Sequence, residues 1–209
     1  RNGPSAEYKN AVGGNSERKS KERSQRKIRV FRHYKKGKEE SLQRRHPWIF
    51  SGAIHHIEGR PEEGDVVRVL SADGRFLAVG HVQIGSIAVR VLSFEDIAID
   101  RSFWFQRLSV AYDVRKSIGV AGNPSNNTFR LVHGEGDGLP GLVVDVYDRT
   151  AVMQAHSVGM HVCRHEIADA LSEVLDGIID NIYYKSETTL AYKASEDGGN
   201  GFLKGSLAT

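Results

Sequence analysis

The chain has 209 residues, of which 26% are charged, with a formal net charge of +3 and one cysteine. That length suffices for one large or two small domains with real cores, and two are read here. A single cysteine excludes an intrachain disulfide framework, and no apolar run reaches the roughly 18 residues of a membrane-spanning helix.

A reducing, cytoplasmic setting follows, in which the Asn126-Asn127-Thr128 sequon carries no glycan. The small net charge conceals a division. Residues 1–60 hold 16 Lys+Arg against 6 Asp+Glu, whereas residues 61–209 hold 13 against 20. A basic N-terminal end favours contact with nucleic acid or an anionic surface there.

Residues 1–27 have almost no large apolar side chains and read as a disordered basic arm. From Ile28 to Arg32 apolar and basic residues alternate as in a half-buried strand, and the basic loop Lys35-Lys36-Gly37-Lys38 follows. A short helical turn before Pro47 leads into an apolar strand around Trp48–Ile54, with Trp48 and Phe50 expected in the core. Further strands are predicted at 65–70, 76–82 and 87–92, separated by turn residues such as Asp73-Gly74 and Gly85. Short strands at this spacing imply a small closed or half-closed β-barrel.

A long helix is expected from the N-cap Asp100 to Ile118, with Phe103, Leu108, Ala111, Val114 and Ile118 along one face. Strands at 128–133, 142–147 and 151–156, one helix over 158–175 and a strand at 178–185 complete a small, mostly antiparallel α+β domain.

Residues Gly136-Asp137-Gly138-Leu139-Pro140-Gly141 match the dinucleotide-binding spacing G-x-G-x-x-G. The context contradicts that reading, because Leu142–Tyr147 is β-branched and suits a strand, and Glu135 and Asp137 would repel phosphate. The segment is instead a turn between strands. Glu135, Asp137, Gly138, Pro140 and Gly141 serve it by shaping the backbone, the alternative being that the turn meets a domain beyond this stretch or the RNA.

Cys163 lies within a helical pattern and reads as an inert, buried thiol. His161 and His165 share a helix face, but the glutamate of H-E-x-x-H is missing, so no metal site is expected. Asp145 alternates with Val144 and Val146 on a strand and is expected to be exposed or paired.

The run Lys36–Ile54, containing His46-Pro47-Trp48-Ile49-Phe50-Ser51-Gly52, followed by Glu63–Val67, Asp73-Gly74 and Gly80, resembles a PUA domain. The run Arg130–Tyr147, with Ile182–Ser186, is similar to the domain that follows PUA in the bacterial 23S rRNA cytosine-C5 methyltransferases. The resemblance covers roughly residues 28 to 190. It implies ribosomal RNA as substrate and S-adenosylmethionine as methyl donor in the complete enzyme, with none expected to bind this stretch. Within that frame Lys35, Lys36, Lys38, Arg44, Arg45 and His46 are the candidates for phosphate contact, and Trp48 for stacking on a base.

Only 24 residues follow Lys185, fewer than the roughly 30 of a βαβ unit, so no Rossmann methyltransferase domain is expected in the chain. The expected layout is an arm over 1–27, a PUA-like β-barrel over 28–95, a central α+β domain over 96–193 and a linker over 194–209. No catalytic residue is assigned. The function read from this is the RNA-recognition and linker portion of an rRNA methyltransferase, inactive by itself. The alternative is a stand-alone PUA-type RNA-binding adaptor. A weaker one is a DNA- or membrane-surface module driven by the arm alone.

Overall fold

The computed structural model describes residues 29–32, 40–190 and 199–206. The expected arm and the lysines Lys35, Lys36 and Lys38 lie outside the described residues. Two five-stranded sheets organise the rest.

The first sheet contains β1 (Arg29–Arg32), β2 (Trp48–Phe50), β3 (Val66–Leu70), β4 (Phe76–Val82) and β5 (Ile87–Ser93), in the order β1-β3-β4-β5-β2. β1 runs parallel to β3, and the other neighbours are antiparallel. A one-turn helix, α1 (Glu40–Gln43), precedes β2. Period-2 alternation buries Val67 and Val69 of β3 and Ile49 of β2. These residues close a small core with Leu42, Ala78 and Val89. Among the described residues the strand order is that of an open sheet with β1 and β2 at its edges, not of a closed barrel.

Helix α2 (Arg101–Ser117) starts where the sequence predicts, with the Asp100 carboxylate accepting from the Phe103 amide at 3.1 Å. Its buried face is the expected one through Ala111 and departs from it after that. Phe103, Trp104, Leu108 and Ala111 are inside, while Val114 and Ile118 are 45% and 66% exposed. The stripe ends because Arg115 takes the next inward position for an ion pair described below.

The second sheet contains β6 (Thr128–His133), β7 (Leu142–Tyr147), β8 (Thr150–Ala155), β9 (Asn181–Tyr184) and β10 (Gly201–Lys204), in the order β10-β9-β8-β7-β6. Three corrections arise here. The helix expected over 158–175 is two helices, α3 (Val158–Val162) and α4 (Arg164–Val174), meeting at Cys163. Through them β8 crosses over to pair in parallel with β9, so the sheet is mixed and contains a βαβ unit. Residues 201–204, expected to be linker, form an edge strand antiparallel to β9.

The core of this half joins Trp104 and Leu108 of α2 to Leu131, Val144, Met153 and Leu171, and extends to Leu92 of β5. Each such large side chain contributes about 1.5–3 kcal/mol by leaving water.

The first sheet also meets the helices of the second half at His81 on β4, whose ring stacks on Trp104 of α2 at 6.2 Å between centroids. Its Nε2 lies 3.7 Å from the Cys163 sulfur. Gly159 of α3 sits so close that a Cβ there would come within 2.2 Å of the imidazole, which only glycine permits. Burial holds the His81 pKa down at about 4.

Candidate nucleic-acid interface

The short strand β2 decides where the aromatic residues point. Ile49 takes the inward position, so Trp48 and Phe50 fall on the opposite face, Trp48 half-buried and Phe50 46% exposed. This corrects the expectation that both fill the core. His46, just before Pro47, joins them: its ring lies 5.9 Å from Trp48 and 6.1 Å from Phe50, and Trp48 meets Phe50 edge-on at 6.5 Å. The Trp48 amide donates to His46 Nδ1 at 3.1 Å, fixing the bend that brings the imidazole back over the strand.

Arg90 on β5 lies opposite Trp48 in the ladder, and its guanidinium sits 5.6 Å from the Trp48 ring. Arg90 was not among the sequence candidates. The signal available was the alternation of β5, which places Arg90 between the buried Val89 and Val91 and therefore on the face opposite the core.

Glu135 holds this face from the other half of the molecule. One oxygen, Oε1, accepts from the Trp48 indole at 2.8 Å and from Arg90 Nη1 at 2.9 Å. The turn that carries Glu135 is itself pinned. Asp137 accepts from Arg115 of α2 through both oxygens, at 2.5 and 2.7 Å, and from the His133 amide at 2.6 Å. Arg115 and Asp137 are 13% and 9% exposed, so this bidentate pair is largely shielded from water. Gly138 is left-handed at φ +68°, and its amide closes the turn on the Glu135 carbonyl at 3.1 Å. Pro140 and Gly141 are buried, Gly141 against Ser157 at the start of α3. The strand β7 follows at once, as the residues predict.

The structure thus separates the five turn residues. Asp137, Gly138, Pro140 and Gly141 shape the turn, and Glu135 reaches across to the first sheet.

Among the basic candidates, Arg44 is exposed and paired with Glu40 one helical turn earlier. Arg45 adopts a left-handed backbone at φ +56° and places its guanidinium 5.9 Å from the Phe94 ring. His46 and Trp48 belong to the aromatic cluster. His46, Trp48, Phe50 and Arg90 are thus brought together by ring and cation contacts, whereas Arg44 and Arg45, close in sequence, are engaged with Glu40 and Phe94.

The remaining titratable candidates are engaged elsewhere. Asp145 forms a bidentate pair with Arg130 at 2.8 and 2.9 Å. His161 is buried and shares a hydrogen bond of 2.7 Å with the Tyr184 hydroxyl. The Cys163 thiol is pushed well above the usual thiol range by burial, with the charge of Glu166 adding to it. Among the described residues no group of three His, Cys, Asp or Glu side chains could hold a metal ion. No helix among them is long and apolar enough to cross a membrane.

Comparison with known proteins bears on this interface. Residues 34–94 match a family model described as a PUA-like domain. The chain is 36% identical over 177 residues to the ribosomal RNA large subunit methyltransferase I of Vibrio vulnificus, covering 82% of this chain and 43% of that protein. It is 37% identical over 179 residues to the protein of that name from Shewanella amazonensis, again covering 43% of it. The chain thus spans less than half the length of these relatives.

Among solved structures, an assigned SAM-dependent methyltransferase from Streptococcus mutans superposes with a TM-score of 0.69 at 17% identity, over 87% of this chain and 44% of that one. A second assigned methyltransferase, complexed with SAH, gives 0.65 at 18% identity, over 81% and 41%. This overturns the expected fold class of a small, mostly antiparallel α+β domain after the PUA-like part with no Rossmann methyltransferase domain in the chain, while the PUA-like part itself is matched over residues 34–94. Nearly the whole chain follows a fold found in methyltransferases, mixed sheet and helices included. Counting only the residues after Lys185 misled, because a βαβ unit already lies within Thr150–Tyr184.

Proposed function

We propose that this chain captures RNA for an S-adenosylmethionine-dependent methyltransferase of large-subunit ribosomal RNA, with cytosine C5 as the position modified. The observation that carries the reading is the face formed by His46, Trp48, Phe50 and Arg90, tied to Glu135 and lying within the segment that matches a PUA-like domain. The exposed rings of His46 and Phe50, with the half-buried Trp48 between them, suit unpaired bases, because stacking tolerates any base, while Arg90, ion-paired with Glu135, holds the Trp48 ring in place. The resemblance of Arg130–Tyr147 to the cytosine-C5 enzymes supports the finer assignment of the base.

The Gly136–Gly141 turn does not fit the methyl donor. It opens onto strand β7 instead of a helix N-terminus, and its two carboxylates are committed to Trp48, Arg90 and Arg115. Methylation at C5 needs a thiolate to add at C6 of the ring, and the only cysteine of the sequence is Cys163, held protonated by burial. The chain's own part in the reaction is therefore to bind and orient RNA, and alone it transfers no methyl group.

The test pairs two measurements on this chain: binding of a 23S rRNA fragment by fluorescence anisotropy over a series of salt concentrations, and incorporation of labelled methyl from S-adenosylmethionine into that RNA. The reading expects salt-sensitive binding without incorporation. Absence of RNA binding contradicts the capture role, and incorporation contradicts the assignment of chemistry to other residues.

A further inference from the structure

Apart from the aromatic face, α1 and the residues after it, the start of β4 and Phe94 just past β5 line an open cavity of 240 Å³. Leu42, Leu77, Phe76 and Phe94 supply its apolar lining, Gln43 an amide, and Arg45 and Arg75 its charge. Arg75 is held by Asp73 at 2.7 Å. Arg45 is placed differently, at the end of α1 in a left-handed conformation that a residue with a Cβ adopts at a cost of about 1 kcal/mol or more. That backbone directs the guanidinium toward Phe94. The cavity lies below the roughly 300 Å³ at which sites for drug-sized ligands begin, and suits one planar ring system with polar edges.

We propose that this cavity receives a single unpaired base of the bound RNA. The base lies against Phe94 and Phe76, its edge meets the Gln43 amide, and the adjoining phosphate meets Arg45. This rests on the RNA-capture reading above and adds to it the kind of RNA selected: a strand with an unpaired nucleotide, not a continuous duplex. A slot whose lining combines aromatic rings, an amide and two guanidinium groups fits a nucleotide in both chemistry and charge.

Two labelled RNA hairpins test the proposal, one fully paired and one carrying a single unpaired 2-aminopurine nucleotide, with binding to the chain followed by anisotropy and by 2-aminopurine emission. The unpaired nucleotide should tighten binding about ten-fold, the worth of one stacked base, and change the emission.

Arg45→Gly removes the guanidinium and also relieves the left-handed backbone. It should abolish the preference while leaving the melting temperature unchanged or raised. Phe94→Leu, which keeps an apolar side chain in the wall, should weaken the preference as well. Preference retained in Arg45→Gly, or equal binding of both hairpins by the unaltered chain, overturns the pocket and leaves RNA capture standing. Failure of either hairpin to bind overturns both.

Discussion

The Trp48 indole and the Glu135 carboxylate, 87 positions apart in sequence, meet in a hydrogen bond of 2.8 Å that joins the first sheet to the glycine-rich turn of the second half. Because Arg90 shares the same carboxylate oxygen, one acidic side chain fixes both an aromatic ring and a cation of the proposed RNA face. The turn is thereby more than a connection between β6 and β7. It is the means by which the second half of the molecule sets the geometry of the first.

Glu135→Ala should leave Trp48 and Arg90 without their partner and cost about 1–3 kcal/mol in denaturant unfolding. Trp48 emission should change while the fully buried Trp104 contributes a constant background. Glu135→Gln, which keeps an acceptor for the indole, should restore the emission and most of the stability. Equal behaviour of the two variants would show that the contact is incidental.

Asp137→Ala should be the more damaging change in the same turn. It leaves Arg115 largely buried without its bidentate partner and also frees the His133 amide, a loss of about 3 kcal/mol. Thermal or urea unfolding measures it. A loss below 1 kcal/mol would mean that the pair is replaced by water at no great cost.

The His81 environment predicts a pH dependence with a definite sign. The imidazole has a folded pKa of about 4 against an ordinary 6.5, so between those values the unfolded chain binds the extra proton. Its contribution is complete above pH 6.5 and is lost progressively as pH falls toward 4, amounting to roughly 3 kcal/mol at the low end. His81→Phe should remove this part of the acid sensitivity in unfolding measured at pH 7.5 and pH 4.5. An unchanged difference between the two pH values would assign the effect to other groups.

Gly159→Ala should be poorly tolerated, because its Cβ would fall within 2.2 Å of the His81 ring and both residues are buried. Overpacking of this kind costs about 1–3 kcal/mol or more. The double variant Gly159→Ala with His81→Ala should recover part of the loss, whereas strictly additive losses would place the strain elsewhere.

Much of the local structure could be read from the residues. The cap at Asp100 and the start of α2, the β-branched runs of β3 to β7, and the glycine turn opening onto a strand all follow from side-chain and backbone preferences that act over a few positions. What could not be read depends on neighbours distant in sequence. Ile49 outcompetes Trp48 and Phe50 for the inward position of β2 because a strand of three residues has one inward side, and the sequence does not say which. Val114 and Ile118 continue the apolar spacing of α2, yet the core beneath them ends where Arg115 reaches Asp137. The parallel pairing of β8 with β9 depends on the path of α3 and α4, and the β10 strand on an edge left open by β9.

In the interface itself, His46 and Trp48 were legible as candidates from composition, as were Arg44 and Arg45. Arg90 and the reach of Glu135 were not, since no spacing in the chain signals a contact across 45 residues.

The claim on which the rest depends is that the exposed face of β2 holds RNA. The most direct measurement is the affinity of the chain for a single-stranded 23S rRNA fragment before and after the pair of substitutions His46→Ala and Phe50→Ala, both on exposed side chains. The account predicts a loss of at least about ten-fold in affinity, one to two stacked rings, with the melting temperature essentially unchanged. Equal affinity of the two proteins for the RNA at the same salt concentration would contradict it.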